Sequence, residues 1–265
     1  MQTIANGIKF KLLTPSNPNL NLLIFIPGLD GSDLSIKNQL DNLKSEFEVA
    51  YLSIAVDNKM RWDELTNTSA SLIKDELSKA YSDSNESRKI FLCGESFGAC
   101  LALAMAAQAP GFFTDLVLIN PATSYKNQAW SPLVSALAQQ LPKAFYQLST
   151  LMLLPLLITG NRVTQNNQQL LLKAMQAFKP QDLACRLSLL QTFHISLESL
   201  QGIRVPVLLI SATGDKLLPS SSEVKKISKL LPKSKIIQLP RSGHACLLEE
   251  NTNLGEIIRR SNLNQ

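Results

Sequence analysis

Metal-ligand spacing is missing from this chain. Its histidines, cysteines and carboxylates fall into no zinc or redox pattern. No Gly-x-Gly-x-x-Gly follows a strand-like run, and there is no phosphate-binding loop. Neither a metal nor an organic cofactor is therefore expected. No apolar run approaches the length of a membrane span; the longest, Leu151 to Ile158, is broken by Pro155. The first residues, Met1 to Gly7, lack the apolar core of a signal peptide. Cysteine is sparse, with Cys93, Cys100, Cys185 and Cys246 as the full set, and a reduced, cytoplasmic setting is expected. Charged residues make up only 18% and the net charge is +5. The basic residues cluster only at Lys225, Lys226, Lys229, Lys233 and Lys235, a pattern that reads as a solvated helix face. Basic and aromatic residues do not interleave, so nucleic acid is not an expected partner.

What is present is apolar material: 45% of 265 residues, enough for one large core. Short β-rich runs alternate with helical stretches. The strand expectations are Ile8–Leu13 (antiparallel), Leu22–Ile26, Val49–Val56, Ile90–Cys93, Asp115–Ile119, Val205–Ile210 and Ile236–Leu239. Helices are expected over Asn38–Phe47, Trp62–Tyr81, the stretch after Ser96, and Ser220–Leu231, the last with serines suited to capping. A polar loop is expected over 82–87. Between Ala122 and Lys179 the alternation gives way to a Leu-, Met-, Ala- and Gln-rich helical segment that Pro132, Pro142 and Pro155 should divide. The expected organisation is an α/β core from 1–121 and 180–265, with a helical cap over 122–179. A leucine-rich cap can line a pocket for an acyl chain or touch a bilayer surface peripherally. The oligomeric state is not set by the sequence.

One stretch organises the rest. Ile90-Phe91-Leu92-Cys93 leads into Gly94-Glu95-Ser96-Phe97-Gly98 and then an alanine- and leucine-rich helix. Gly-x-Ser-x-Gly between a strand and a helix is the nucleophile elbow of α/β-hydrolases. The turn lifts a serine hydroxyl clear of the sheet and leaves free helix N–H groups beside the reacting carbon. Such a serine needs a base, and the base needs an acid to orient it. Only His194 and His244 are available as histidine bases. His244 sits in a glycine-containing loop after the last strand, and Asp215 follows the strand before it. Ser96, Asp215 and His244 thus stand in the chain order this fold uses. His194 is expected in a helix, in a structural or rim role. Asp30, Glu95 and Asp115 are rival acids; Asp30 and Glu95 are expected to shape the pocket or be solvated. The loop Pro27-Gly28-Leu29-Asp30-Gly31-Ser32 should supply half of an oxyanion hole through the Leu29 N–H, and Phe97 the other half.

Four stretches carry a narrower resemblance: Phe25–Gly31, Gly94–Ala104, Ile119–Ser124 and Gly243–Glu250. They resemble the hydrolase-like half of the phytyl ester synthases, plastid and cyanobacterial acyltransferases of the α/β-hydrolase fold. The resemblance implies a mostly parallel sheet with helices on both faces and a cap after the sixth strand. It also implies a lipid-like acyl substrate. Those proteins carry a second, glycerolipid-acyltransferase-like half that these 265 residues do not contain. Three readings stay open: hydrolysis of an acyl ester or thioester through Ser96, acyl transfer to phytol or diacylglycerol, and a non-catalytic binding protein on the same fold. A peptidase fits the apolar cap less well.

Overall fold

The alternating runs become an eight-stranded sheet in the computed structural model of the protein, which describes residues 2–5, 7–55, 60–80, 88–138 and 143–261. Strands β1 (Gln2–Ala5) and β2 (Ile8–Leu12) form an antiparallel hairpin through Gly7, and β2 pairs antiparallel with β4 (Phe47–Ile54). From β3 (Asn21–Ile26) onward all pairings are parallel, through β5 (Ile90–Glu95), β6 (Asp115–Ile119), β7 (Val207–Ala212) and β8 (Ser234–Leu239). The order is β1-β2-β4-β3-β5-β6-β7-β8. The chain leaves β3 for β4 on one side and later returns to β5 on the other. Strand direction of travel therefore reverses at β3, and the loops after β3 and β5 open a crevice there.

Strand residues point alternately to two cores. Leu22, Ile24, Ile26, Leu92, Leu116, Leu118 and Leu209 pack with α3 (Trp62–Ala80), α4 (Phe97–Gln108), α8 (Pro180–Thr192) and α10 (Ser220–Ser228). Leu23, Phe25, Phe91, Cys93, Val117, Ile119, Leu208 and Ile210 pack on the other face with α1 (Leu34–Lys37), α2 (Leu40–Leu43) and α11 (Leu254–Arg260). A strand covered on both faces must be apolar throughout, which is why these runs lack polar alternation. Each fully buried Leu, Ile or Phe contributes about 1.5–3 kcal/mol.

The segment between β6 and β7 holds α5 (Ser131–Ala138), α6 (Lys143–Leu157), α7 (Gln165–Ala177), α8 and α9 (Leu197–Gly202). Pro155 does not divide this segment as expected; it sits inside α6, in the last turn. Other expectations shift too. Ile8–Leu12 is the second strand, because β1 precedes it. Of the helix expected at Asn38–Phe47 only the short α2 forms, with α1 lying just before that stretch, and Phe47 already opens β4, where its ring meets Phe91 edge-on at 5.0 Å. The polar stretch 82–87 lies outside the described residues.

Candidate active site

Steric necessity explains the elbow between β5 and α4. Ser96 adopts φ 54° and ψ −110°, a region most side chains avoid. A Cβ on Gly94 would lie 2.3 Å from the Gly98 carbonyl oxygen, and one on Gly98 would lie 2.1 Å from that of Ile26. Both glycines are therefore demanded by close backbone approach. The turn leaves Ser96 in the crevice, with the Phe97 N–H at the start of α4 among the helix's free donors.

Three loops converge on this hydroxyl. His244 Nε2 lies 3.0 Å from Ser96 Oγ, and His244 Nδ1 lies 2.7 Å from Asp215 Oδ2. A carboxylate on Nδ1 selects the tautomer with its proton there, which leaves Nε2 free to accept from the serine. Asp215 is itself held. Its Oδ1 accepts from the Leu217 and Leu218 N–H groups at 2.8 and 3.0 Å, and its Oδ2 accepts from Ser220 Oγ. Ser220 was expected to cap α10; Pro219 is at that cap, and the hydroxyl serves Asp215 instead. Burial pushes the Asp215 carboxyl upward, but the His244 ring and these hydrogen bonds outweigh it and hold the carboxyl below its usual range. Burial likewise pushes His244 down, while the Asp215 charge and hydrogen bond, aided by Glu95, raise it overall.

The His244 loop is anchored by residues whose part is invisible in a triad pattern. Asn120, at φ 43° just after β6, donates from Nδ2 to the His244 carbonyl at 2.7 Å and accepts from the Ala212 N–H at 2.8 Å. It thus ties the ends of β6 and β7 to the histidine. Buried Glu249 accepts from the Gly243 N–H and the Ser242 hydroxyl, each at 2.8 Å, and pairs with Arg162 at 2.6 Å. Both Asn120 and Glu249 fall within stretches that carry the family resemblance.

The Pro27–Ser32 loop packs against the elbow: a Cβ on Gly28 would lie 3.7 Å from Ser96 Cβ. Its shape depends on Arg186, a residue sequence reasoning missed. Arg186 is 1% exposed. It donates from Nη1 to the Gly28 carbonyl at 2.8 Å and from Nη2 to the Ile54 carbonyl, and it stacks over the Phe97 and Phe178 rings. The visible clue is an arginine on α8 among Leu183, Ala184, Leu187 and Leu190.

Above Ser96 lies a cavity of about 420 Å³. Its floor carries Gly28, Leu29, Asp30, Glu95, Ser96 and His244; its walls are apolar, from Trp130, Val134, Leu153, Leu156, Leu171, Met175, Leu187 and Leu218. Glu95 is buried and Asp30 is half-buried. Burial raises both, Glu95 to about 7, and the Glu95 Oε1 atom has no hydrogen-bond partner among the described residues. Asp115 sits at the far end of β6, and burial raises its carboxyl too. His194 is exposed in the loop between α8 and α9, not in a helix, because Lys126 takes the Phe193 carbonyl at 2.8 Å and Phe193 packs on Trp62. No group of three His, Cys, Asp or Glu among the described residues suits a metal ion.

A family model described as serine aminopeptidase, S33, matches residues 62–251, more than half of the chain. The chain belongs to this family. It is an α/β-hydrolase of the serine-hydrolase type. It is 28% identical over 260 residues to phytyl ester synthase 1, chloroplastic, of Arabidopsis thaliana, covering 89% of this chain and 36% of that protein. Phytyl ester synthase 2 of the same plant is 27% identical over 269 residues, with 91% and 37% covered. The chain thus spans a little over a third of the length of these relatives. Among solved structures, the enol-lactonase from Burkholderia xenovorans LB400 superposes with a TM-score of 0.78 at 16% identity, covering 98% of each chain. That likeness bears out the α/β-hydrolase fold.

Proposed function

We propose that this protein cleaves carboxylic esters or thioesters of apolar acyl groups through an acyl-enzyme on Ser96. The observation that carries the reading is the hydrogen-bonded line from Asp215 through His244 to Ser96. Ser96 Oγ attacks the acyl carbonyl as His244 Nε2 takes its proton. The Leu29 and Phe97 N–H groups receive the developing oxyanion. His244 returns the proton to the leaving group, and Asp215 keeps the ring oriented and offsets its charge. Water, activated by the same histidine, then releases the acid. Residues 122–179 act as a cap over the core formed by 1–121 and 180–265, and its leucines hold the acyl chain.

A second reading is acyl transfer to an alcohol such as phytol or diacylglycerol. Similarity to the phytyl ester synthases favours it, as does the apolar cavity, which disfavours water as the second nucleophile. The two readings share every step up to the acyl-enzyme.

The test is a pre-steady-state assay with a chromogenic medium-chain ester, with and without added phytol or diacylglycerol. A burst matching the enzyme concentration, absent in Ser96→Ala, supports the acyl-enzyme. Release to water whatever alcohol is present supports hydrolysis; capture as a new ester supports transfer. No burst and no turnover on any ester would leave a binding protein. Asp215→Asn should lower kcat by about 10³–10⁴-fold, and His194→Ala should leave it unchanged.

A further inference from the structure

Helix α6 turns an apolar face outward, where a surface helix ordinarily shows a polar one. Phe145, Leu148, Met152 and Leu156 recur at three- and four-residue spacing along one side, with Leu151 beside them, and all are exposed, Met152 at 73%. The other side faces inward: Tyr146 and Thr150 are buried, and Tyr146 donates to the Met175 carbonyl on α7 at 2.8 Å. Leu170 on α7, which packs against α6, is exposed too, as are Trp130 and Val134, which share the cavity lining with Leu156. Among the described residues, the only other large exposed apolar side chains are Leu133 on α5, Leu153, also on α6, and Leu197 and Leu230. An outward patch of this extent marks a surface that something covers.

Charge says what covers it. No Asp or Glu occurs anywhere between Asp115 and Asp182, whereas Lys126, Lys143, Arg162, Lys173 and Lys179 do. Arg162 is paired with Glu249 and Lys126 is used by Phe193, but Lys173 and Lys179 are exposed. The stripe itself has few polar groups to fix a register against a structured partner. A fluid, negatively charged apolar phase needs no register, and the segment that bears the stripe carries no carboxylate that would repel it.

We propose that the exposed face of α6, flanked by Trp130 and α7, docks this protein onto the surface of an anionic lipid bilayer. The stripe is continuous with the cavity. Leu156 belongs to both, and exposed Trp130, Val134 and Leu153 also line the cavity above Ser96. Docked this way, the protein offers a path from the acyl region into the cavity that need not cross water. That last consequence rests on the lipid-ester reading; the docking itself does not.

The experiment is cosedimentation of the protein with phosphatidylcholine vesicles, made with and without phosphatidylglycerol, at low and high salt. The protein should pellet with the phosphatidylglycerol vesicles, much less with phosphatidylcholine alone, and be partly released by salt. Phe145→Glu with Met152→Glu should weaken this binding roughly tenfold or more. Neither residue lines the cavity, so hydrolysis of a short, water-soluble ester should be unchanged. If the Ser96 reading is wrong, that ester is untouched by both proteins while the vesicle result stands. Failure of the unmutated protein to pellet, or equal pelleting of the variant, overturns the proposal. So does a dimer that ignores vesicles and falls apart in the variant, which would put a second copy on the stripe. Should the variant not fold, quenching of tryptophan emission by brominated lipids in Trp62→Phe, where Trp130 is the one tryptophan left, decides, and no quenching overturns the proposal.

Discussion

Arg186 holds the Gly28–Leu29 peptide by its carbonyl, at 2.8 Å from Nη1. The carbonyl and the N–H of one peptide point in opposite directions. Fixing the Gly28 oxygen toward α8 therefore turns the Leu29 N–H the other way, and withdrawing electron density from the oxygen makes that N–H a stronger donor. The same guanidinium lies 5.4 Å from the centre of the Phe97 ring, so it braces both residues of the proposed oxyanion hole. Arg186→Met should lower kcat by about 10–10²-fold while KM changes little, since the oxyanion exists only after attack. Arg186→Lys should recover part of the loss. Steady-state kinetics on a short ester checks this, and an unchanged kcat in the methionine variant would remove Arg186 from the machinery.

Glycine substitutions should separate sharply by site. Gly98→Ala places a methyl 2.1 Å from the Ile26 oxygen and 2.5 Å from that of Pro27, both backbone atoms of a central strand and its loop. They cannot yield without opening the elbow. A loss of about 3 kcal/mol or more is expected, and Gly94→Ala should behave alike. Gly202→Ala meets nothing within 4 Å. It should be neutral or stabilising by about 0.4–1 kcal/mol through the unfolded chain. Urea unfolding of the three variants reads this directly, and equal midpoints would mean that the elbow is looser than its backbone contacts require.

The sheet and the convergence of Ser96, Asp215 and His244, the proposed triad, are legible in the sequence because their physics is local. A doubly buried strand must be apolar, a tight elbow must have glycines, and each triad member sits just past a strand end, so chain order alone pairs Ser96, Asp215 and His244. What was not legible depends on partners distant in sequence. Arg186 meets Gly28 across more than 150 residues, and only its misfit on an apolar helix face hints at this. Asn120 reads as a strand stop before Pro121, yet its amide bridges two other loops. Ser220 looks like a cap because its local neighbours suit one, but Asp215 claims the hydroxyl. Local composition places His194 in a helix, but a lysine from another element, Lys126, takes the Phe193 carbonyl and the helix ends before it.

Glu95 titrates in the wrong range for a surface carboxylate, and stability should show it. Burial raises it from 4.5 to about 7, with Asp30 adding to the shift. Its folded form therefore holds a proton that the unfolded chain has given up, and stability is lost as pH rises from 4.5 to about 7. Glu95→Gln keeps the shape and removes the ionisation. The variant should be more stable than the parent above pH 7, by a few kcal/mol at most, and gain little below pH 4.5. Thermal melts at the two ends test it. An equal effect at both would show that packing, rather than ionisation, separates the two proteins.

The Asp215–His244 pair should make activity and stability respond to pH in opposite senses. The proposed chemistry needs neutral His244, whose pKa is raised above the usual 6.5. The acid limb of kcat/KM should thus have its midpoint above 6.5, with activity rising as the proton leaves. In Asp215→Asn the charge that opposes burial is gone, so the midpoint of the residual activity should move to more acid pH. Stability runs the other way. The raised His244 contributes fully below 6.5, and its contribution fades as pH climbs through the folded value. The lowered Asp215 contributes fully above 3.8 and fades as pH falls through its folded value. The stability gap between the parent and Asp215→Asn should therefore be widest between pH 3.8 and 6.5, where both partners are charged and the proposed base is blocked. It should narrow, without vanishing, at alkaline pH, because neutral His244 still donates from Nδ1 to the carboxylate. Urea unfolding of the two proteins across this range measures the gap. A gap that stays level from pH 3.8 into the alkaline range would mean that Asp215 stabilises through its hydrogen bonds from Leu217, Leu218 and Ser220 rather than through the histidine.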